Sequence, residues 1–193
     1  MTNKEDLRIV KTKRNIENTF LKLLCSHTFE QITVKQILEE ALISKGTFYA
    51  HYLDKYDLAE KIVTNTLQEF QNGIQERLEG VLSKRNRQSF TTSLLKALHN
   101  TIPQLNLLKK IHTDKIDVQR SMHDIITAEY LLFQKQKGAN LEHPALRAHI
   151  VAVSVLGFLS WKESHPLENS LEEYLTEAQQ IFNEYGEWIK EME

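Results

Sequence analysis

The 193 residues include 24 basic and 26 acidic side chains, giving a formal charge of −2, and 41% of the chain is hydrophobic. This balance excludes a disordered chain and supplies no overall basic excess, so any attraction to nucleic acid must come from local charge. Six glycines, three prolines and little alternation of β-branched with polar residues favour long helices over sheet.

The N-terminal segment "MTNKEDLRIVKTKR" lacks the apolar core of a signal peptide. A first helix is expected from Lys4 to Cys25, with Ile9, Ile16, Phe20, Leu23 and Leu24 on its apolar face and Lys11, Lys13 and Arg14 near its start. Cys25, the single cysteine, has no partner for an internal disulfide, and its neighbours Leu23 and Leu24 predict a buried thiol in a reducing cytoplasm. Thr33 and Gln36 form a capping-box pattern ahead of a short helix with Val34, Ile37, Leu38 and Ala41. Ser44 is placed to cap a third helix, and Asp54 a fourth, with Asp57 in its first turn. Two short helices separated by two or three residues fit a helix-turn-helix over 33–52 or an ordinary three-helix bundle.

From Asp54 onward, Leu58, Ile62, Thr66, Phe70, Ile74 and Leu78 trace one face of a long helix, followed by the polar loop "SKRNRQS". A helix bearing Phe90, Leu94, Leu98 and Ile102 is expected to be interrupted at Pro103, and Leu105, Leu108 and Ile111 mark a short one after it. Another runs from Asp117 to Lys135, with Gly138 past its end. Pro144 opens a further helix reaching Lys162. Its apolar run, Ile150 to Trp161, is shorter than the roughly 20 residues that span a bilayer, so it reads as a buried helix and no membrane association is expected. A last helix runs from Ser170 to the end. The fold class is all-α.

The third helix, "SKGTFYAHY", carries the chemistry. Phe48 and Tyr52, four residues apart, face the first two helices. Gly46, Thr47 and Ala50 lie on the opposite side, with His51 at its edge and Tyr49 on the other flank. Small residues let a helix backbone approach base edges in a major groove about 12 Å wide, while phosphate contacts on either side set register. Lys45, Gly46, Thr47 and Ala50 are therefore candidate base contacts, and Thr33, Tyr49, His51 and Lys55 candidate phosphate contacts.

The stretch "TVKQILEEALISKGTFYAHYLDKYDL" resembles the DNA-binding signature of the tetracycline-repressor-like (TetR/AcrR) family of bacterial transcription regulators. Thr33, Ala41, Ile43, Ser44, the "SKGTFY" run, Tyr52 and Lys55 carry the resemblance, which covers roughly residues 9–63. The family has glycine where this chain has Leu42 and Thr28. The resemblance implies a DNA-binding domain over 1–54 and a helical ligand-binding and dimerisation domain over 55–193. It also implies a homodimer on a palindromic double-stranded operator, and a repressor released by a small-molecule effector of unknown identity. A ligand among the later helices is expected to tilt the long helix and change the spacing of the two heads.

Phe90, Met122, Tyr130 and Phe133 are candidate pocket residues, although aromatic and Met residues at helical spacing serve equally as core. Ala152, Leu156 and Phe182 are candidates for the dimer interface, the alternative for the 145–162 helix being the core of a monomer. The histidines have no metal-ligand spacing, and adjacent His123 and Asp124 are expected on different helix faces. No metal or cofactor is expected. An all-helical enzyme is a competing reading, but no glycine-rich phosphate loop, nucleophile elbow or paired metal motif supports it. Control by a protein partner instead of a small molecule is a further alternative.

Overall fold

The helical periodicity closes into seven helices among the described residues of a computed structural model, which are 3–82, 101–165, 173, 176, 177, 180 and 181. They are α1 (Asn3–Ser26), α2 (Val34–Ala41), α3 (Lys45–Tyr49), α4 (Lys55–Leu82), α5 (Thr101–Leu108), α6 (Val118–Gln136) and α7 (Pro144–Ser164). The expected helix around Phe90, Leu94 and Leu98, the loop at 83–89 and most of the helix expected from Ser170 lie outside the described residues.

The chain forms two compact units: Met1–Phe70 with Asn100–Ser121, and Gln71–His99 with Met122–Glu193. The first unit therefore takes in more than the 1–54 segment. The first four turns of α4 and all of α5 belong to it, because Leu58, Ile62, Thr66, Phe70, Leu105 and Leu108 are all buried. Thr66 fits among them by donating its hydroxyl to Ile62 O at 2.7 Å and accepting from Gln104 Nε2 at 2.8 Å.

In the first unit, Ile16, Phe20 and Leu24 of α1 meet a core that also contains Phe29, Ile32, Ile37, Ala41, Phe48 and Tyr52. Phe20 and Phe29 pack edge to face at 6.2 Å. Cys25 is exposed rather than buried, since one step of about 100° from Leu24 turns it to solvent. Pro103 does not end the helix at its position, because the described span Thr101–Leu108 of α5 continues past it.

In the second unit, Met122, Ile126 and Phe133 of α6 and Ala148, Ala152, Phe158 and Leu159 of α7 are buried. Gly138 ends α6 at φ 66°, with Ala139 N donating to Gln134 O at 3.1 Å and Gly138 N to Lys135 O at 3.0 Å, a Schellman arrangement. At 21 residues, α7 is long and apolar enough by length and composition alone to cross a membrane, a test that the core helix of a globular unit also passes. Only one side of it is covered: Leu146, Ile150 and Val153 are exposed.

Helix α2 ends in the same motif with a different residue. Leu42 adopts φ 53°, ψ 46°, while Ile43 N donates to Leu38 O at 3.1 Å and Leu42 N to Glu39 O at 3.4 Å. A left-handed conformation costs a residue with a Cβ roughly 1–2 kcal/mol, and the Leu42 side chain regains nothing by packing because it is 91% exposed. Leu42→Gly is accordingly expected to raise unfolding stability by about 1 kcal/mol, after the greater freedom of glycine in the unfolded chain is counted. Urea denaturation of the two proteins measures it.

Candidate nucleic-acid interface

Each helix of the helix-turn-helix starts on a side-chain cap. Thr33 Oγ1 accepts from Gln36 N at 3.2 Å, while Gln36 Oε1 accepts from Thr33 N at 2.8 Å and from the Thr33 hydroxyl at 2.9 Å. Ser44 Oγ accepts from Thr47 N at 3.1 Å and shares a hydrogen bond with Thr47 Oγ1 at 2.8 Å. Asp54 Oδ1 accepts from the amides of Tyr56 and Asp57, both at 2.8 Å. The turn between α2 and α3 is held to α1 by Asn15, whose Nδ2 donates to Ala41 O at 2.8 Å.

Helix α3 has five residues and ends sooner than its sequence pattern implies, at Tyr49, with Ala50 as its C-cap. One side is anchored: Phe48 is fully buried, and the hydroxyl of buried Tyr52 donates to Glu17 Oε1 at 2.8 Å. Burial first, and then this bond to Glu17, push the Tyr52 phenol well above its ordinary range. The other side is open. Lys45, Gly46, Tyr49 and Ala50 are exposed, Thr47 and His51 are half-buried, and the Lys45 ammonium lies 5.8 Å from the Tyr49 ring centroid.

Gly46 is not required by the fold itself. A Cβ placed there meets only Ser44 Oγ, at 3.8 Å, which is ordinary contact. The four candidate base-contact residues thus share one exposed stretch, and the helix tolerates a poor helix former on its outer face.

The candidate phosphate contacts divide. Tyr49 is exposed, and His51 is half-buried beside Tyr52. Thr33 is exposed, but its hydroxyl proton is directed at Gln36. Lys55 is placed differently from expectation. Its Nζ donates to Ile32 O at 2.8 Å, Phe29 O at 2.9 Å and Glu30 O at 3.1 Å. An ammonium has three N–H donors, and all three are taken by the chain between α1 and α2. Lys55 therefore holds the chain between α1 and α2 to the start of α4. Lys11, Lys13 and Arg14 of α1 and Lys45 are exposed.

In the second unit, Phe133 lines a cavity of about 230 Å³ with Gln75, Leu78, Glu129, Leu132 and Gln136. Met122 is fully buried and Tyr130 half-buried, neither among the lining residues, and Phe90 lies outside the described residues. Glu129 is the residue the sequence reading missed. It follows Met122 and Ile126 and precedes Phe133 on the buried stripe of α6, so an acid in an apolar register was the available signal.

Ala152 has no surface left for a partner, because its own chain covers it completely. Leu156 is half-buried, and Phe182 lies outside the described residues. The stripe that α7 leaves open is Leu146, Ile150 and Val153. Two histidines that had no motif spacing come together: His123 Nε2 and His149 Nδ1 are 3.0 Å apart. His123 Nδ1 also lies 3.2 Å from Asp124 Oδ1, so these neighbours meet despite their adjacent positions. No group of three or more metal-ligating side chains occurs among the described residues.

The all-helical arrangement, a capped helix-turn-helix followed by a second helical unit, is a fold shared with solved TetR/AcrR-family structures. The chain shares this fold with a transcriptional regulator of the TetR/AcrR family from Aquifex aeolicus VF5, at a TM-score of 0.59 and 19% identity over 89% of this chain and 98% of the other. SmeT, solved as a triclosan complex, matches at 0.55 and 17% identity over 81% of this chain and 82% of SmeT. Escherichia coli NemR in its reduced form matches at 0.52 and 15% over 89% and 97%. A curated relative, the uncharacterized HTH-type transcriptional regulator YxbF of Bacillus subtilis (strain 168), is 24% identical over 176 residues. That similarity covers 88% of this chain but 45% of YxbF, so the chain spans less than half the length of this relative. No family model matches the chain.

Two side chains test how the interface is held. Lys55→Met should cost about 2 kcal/mol of unfolding stability, the scale of hydrogen bonds to a charged group, two of whose three carbonyl acceptors lie in part-buried bonds. Urea denaturation reads it. For Tyr52 the folded value lies above the unfolded one, so its contribution is complete below pH about 10 and is lost as pH rises from there toward the folded value. The stability difference between the native chain and Tyr52→Phe should therefore shrink with rising alkalinity, measured by thermal denaturation across that range.

Proposed function

We propose that this chain is a sequence-specific DNA-binding transcription regulator of the TetR/AcrR type, acting as a homodimer in the bacterial cytoplasm. The observation that carries the reading is the outer face of α3. It is exposed, built from small and hydroxyl-bearing residues, and contains a glycine that internal packing does not need. Glycine in a helix costs about 1 kcal/mol relative to alanine, so its presence on an open face fits a close approach by something outside the fold. A major groove is such a surface.

In this reading Lys45, Gly46, Thr47 and Ala50 meet base edges. Tyr49, His51 and the exposed basic residues of α1 meet phosphates, while Thr33 and Lys55 keep the helices in place. Two copies joined through the exposed Leu146, Ile150 and Val153 of α7 would present two α3 helices about 34–36 Å apart, one per successive major groove, on a palindromic operator. Repression released by a small molecule completes the proposal. The cavity beside Glu129 and the triclosan complex of SmeT support that part.

The test is a titration of labelled DNA from upstream of the protein's own coding region. Gly46→Ala should leave the fold at least as stable and weaken specific binding by on the order of tenfold, because a methyl group then occupies the groove-facing surface. Thr47→Val should shift preference at one base position by about 1 kcal/mol. Inserting about five base pairs between half-sites should abolish tight binding by rotating one half-site to the far side of the duplex. Unchanged affinity for Gly46→Ala would remove α3 from the interface. In parallel, Ile150→Glu should yield monomers by sedimentation at micromolar concentration, since a charge would interrupt the apolar stripe.

A further inference from the structure

The second unit holds an acid in a place that water barely reaches. Glu129 is 4% exposed, yet among the described residues no basic side chain pairs with it. Its recorded partners are two neutral amides on successive turns of α4. Gln71 Nε2 donates to Glu129 Oε1 at 2.6 Å and Gln75 Nε2 donates to the same oxygen at 2.8 Å. Neutral amides supply hydrogen bonds but no countercharge, and a buried carboxylate without a cation is costly. Both bonds fall on Oε1, so Oε2 retains its accepting capacity among the described residues.

The same carboxylate lines the cavity of about 230 Å³, whose other walls include Leu78, Leu132 and Phe133. The volume lies below the roughly 300–1,000 Å³ of pockets that take drug-sized molecules. The rim is accessible, since Leu132 is exposed. A lining half apolar (Leu78, Leu132 and the Phe133 ring) and half polar (Gln75, Gln136 and Glu129), with one acid lacking a countercharge among the described residues, fits a small hydrophobic body with one cationic N–H donor group.

We propose that this cavity binds a small lipophilic amine as its ammonium, with Glu129 as the anionic partner and Phe133 and Leu132 against the apolar part. Gln71 and Gln75 hold the carboxylate in position by occupying Oε1, and the ammonium takes Oε2. The inference deepens the regulator reading by assigning a chemical class to its effector, and it rests on that reading only for the consequence on DNA.

The experiment is calorimetric titration of the full chain at neutral pH with phenethylammonium, phenethyl alcohol and phenylacetate, which share a body and differ in charge. The ammonium is expected to bind about tenfold or more tightly than the alcohol, and the carboxylate most weakly. In Glu129→Gln the alcohol should still bind and the preference for the ammonium should disappear. Leu132→Trp, at the exposed rim, should fill the cavity and abolish binding of all three while the fold is kept. Equal affinities for ammonium and alcohol in the native chain, a preference that survives Glu129→Gln, or no binding by any of the three would overturn the proposal. The titration contains no DNA. Its failure leaves the regulator reading standing, and failure of DNA binding leaves the titration intact.

Discussion

A helix of five residues cannot hold its shape in water, because the cost of nucleating it exceeds what so few hydrogen bonds return. Helix α3 is of that length, and its conformation is imposed from one side. Phe48 is driven into the first unit's core, Tyr52 is tied to Glu17 of α1, and Ser44 closes the N-terminus. The contacts that tie the helix to the rest of the unit lie on the inner side. On the outer side Lys45, Gly46, Tyr49 and Ala50 stay exposed, while Thr47 is held by the Ser44 cap.

The segments leading into α3 and away from it are fixed by polar groups acting on backbone carbonyls. Asn15 reaches across 26 positions of sequence to Ala41 O, at the end of α2. Lys55 gathers the carbonyls of Phe29, Glu30 and Ile32 around one ammonium, with the Phe29 ring 4.7 Å away. Between them the chain accepts a left-handed leucine at Leu42. Strain at one residue is tolerable where the flanking helices are this firmly seated, since the packed core fixes the positions the turn must connect. Asp57 adds to the seating. Its bond to Lys61, together with the Leu53 amide, lowers its carboxyl below the ordinary value, and it stands in the first turn of α4 where negative charge is favoured.

The second unit follows a different logic. Its core is apolar but admits Glu129 with Gln71 and Gln75 beside it, and at the surface His123 meets His149. A buried carboxylate without its two amide partners would be costly, so Gln71 and Gln75 fix Glu129 in place. Helix α7 adds an apolar stripe on the outside while Ala148, Ala152, Phe158 and Leu159 face the inside. One helix thus serves both the packing of its own chain and an outward surface.

The helix ends were legible in the residues alone. Thr33 with Gln36, Ser44, Asp54, Pro144 and Gly138 mark helix ends through hydrogen bonds and dihedral preferences that operate within a few residues. Phe48 and Tyr52 could be assigned to the core from their four-residue spacing for the same reason. What sequence did not decide was how these pieces meet. Lys55 follows an aromatic-rich helix as a phosphate ligand would, and only the folded chain brings three carbonyls to it from more than twenty positions away. Cys25 and Ala152 depended on a rotation of about one residue around their helices, which a nearly all-apolar pattern leaves open. Glu129 meets Gln71 and Gln75 across more than fifty positions, and His123 meets His149 across twenty-six. Caps and periodicities are set by neighbours along the chain, whereas the partner of a buried charge is set by packing between helices, and that is decided only in three dimensions.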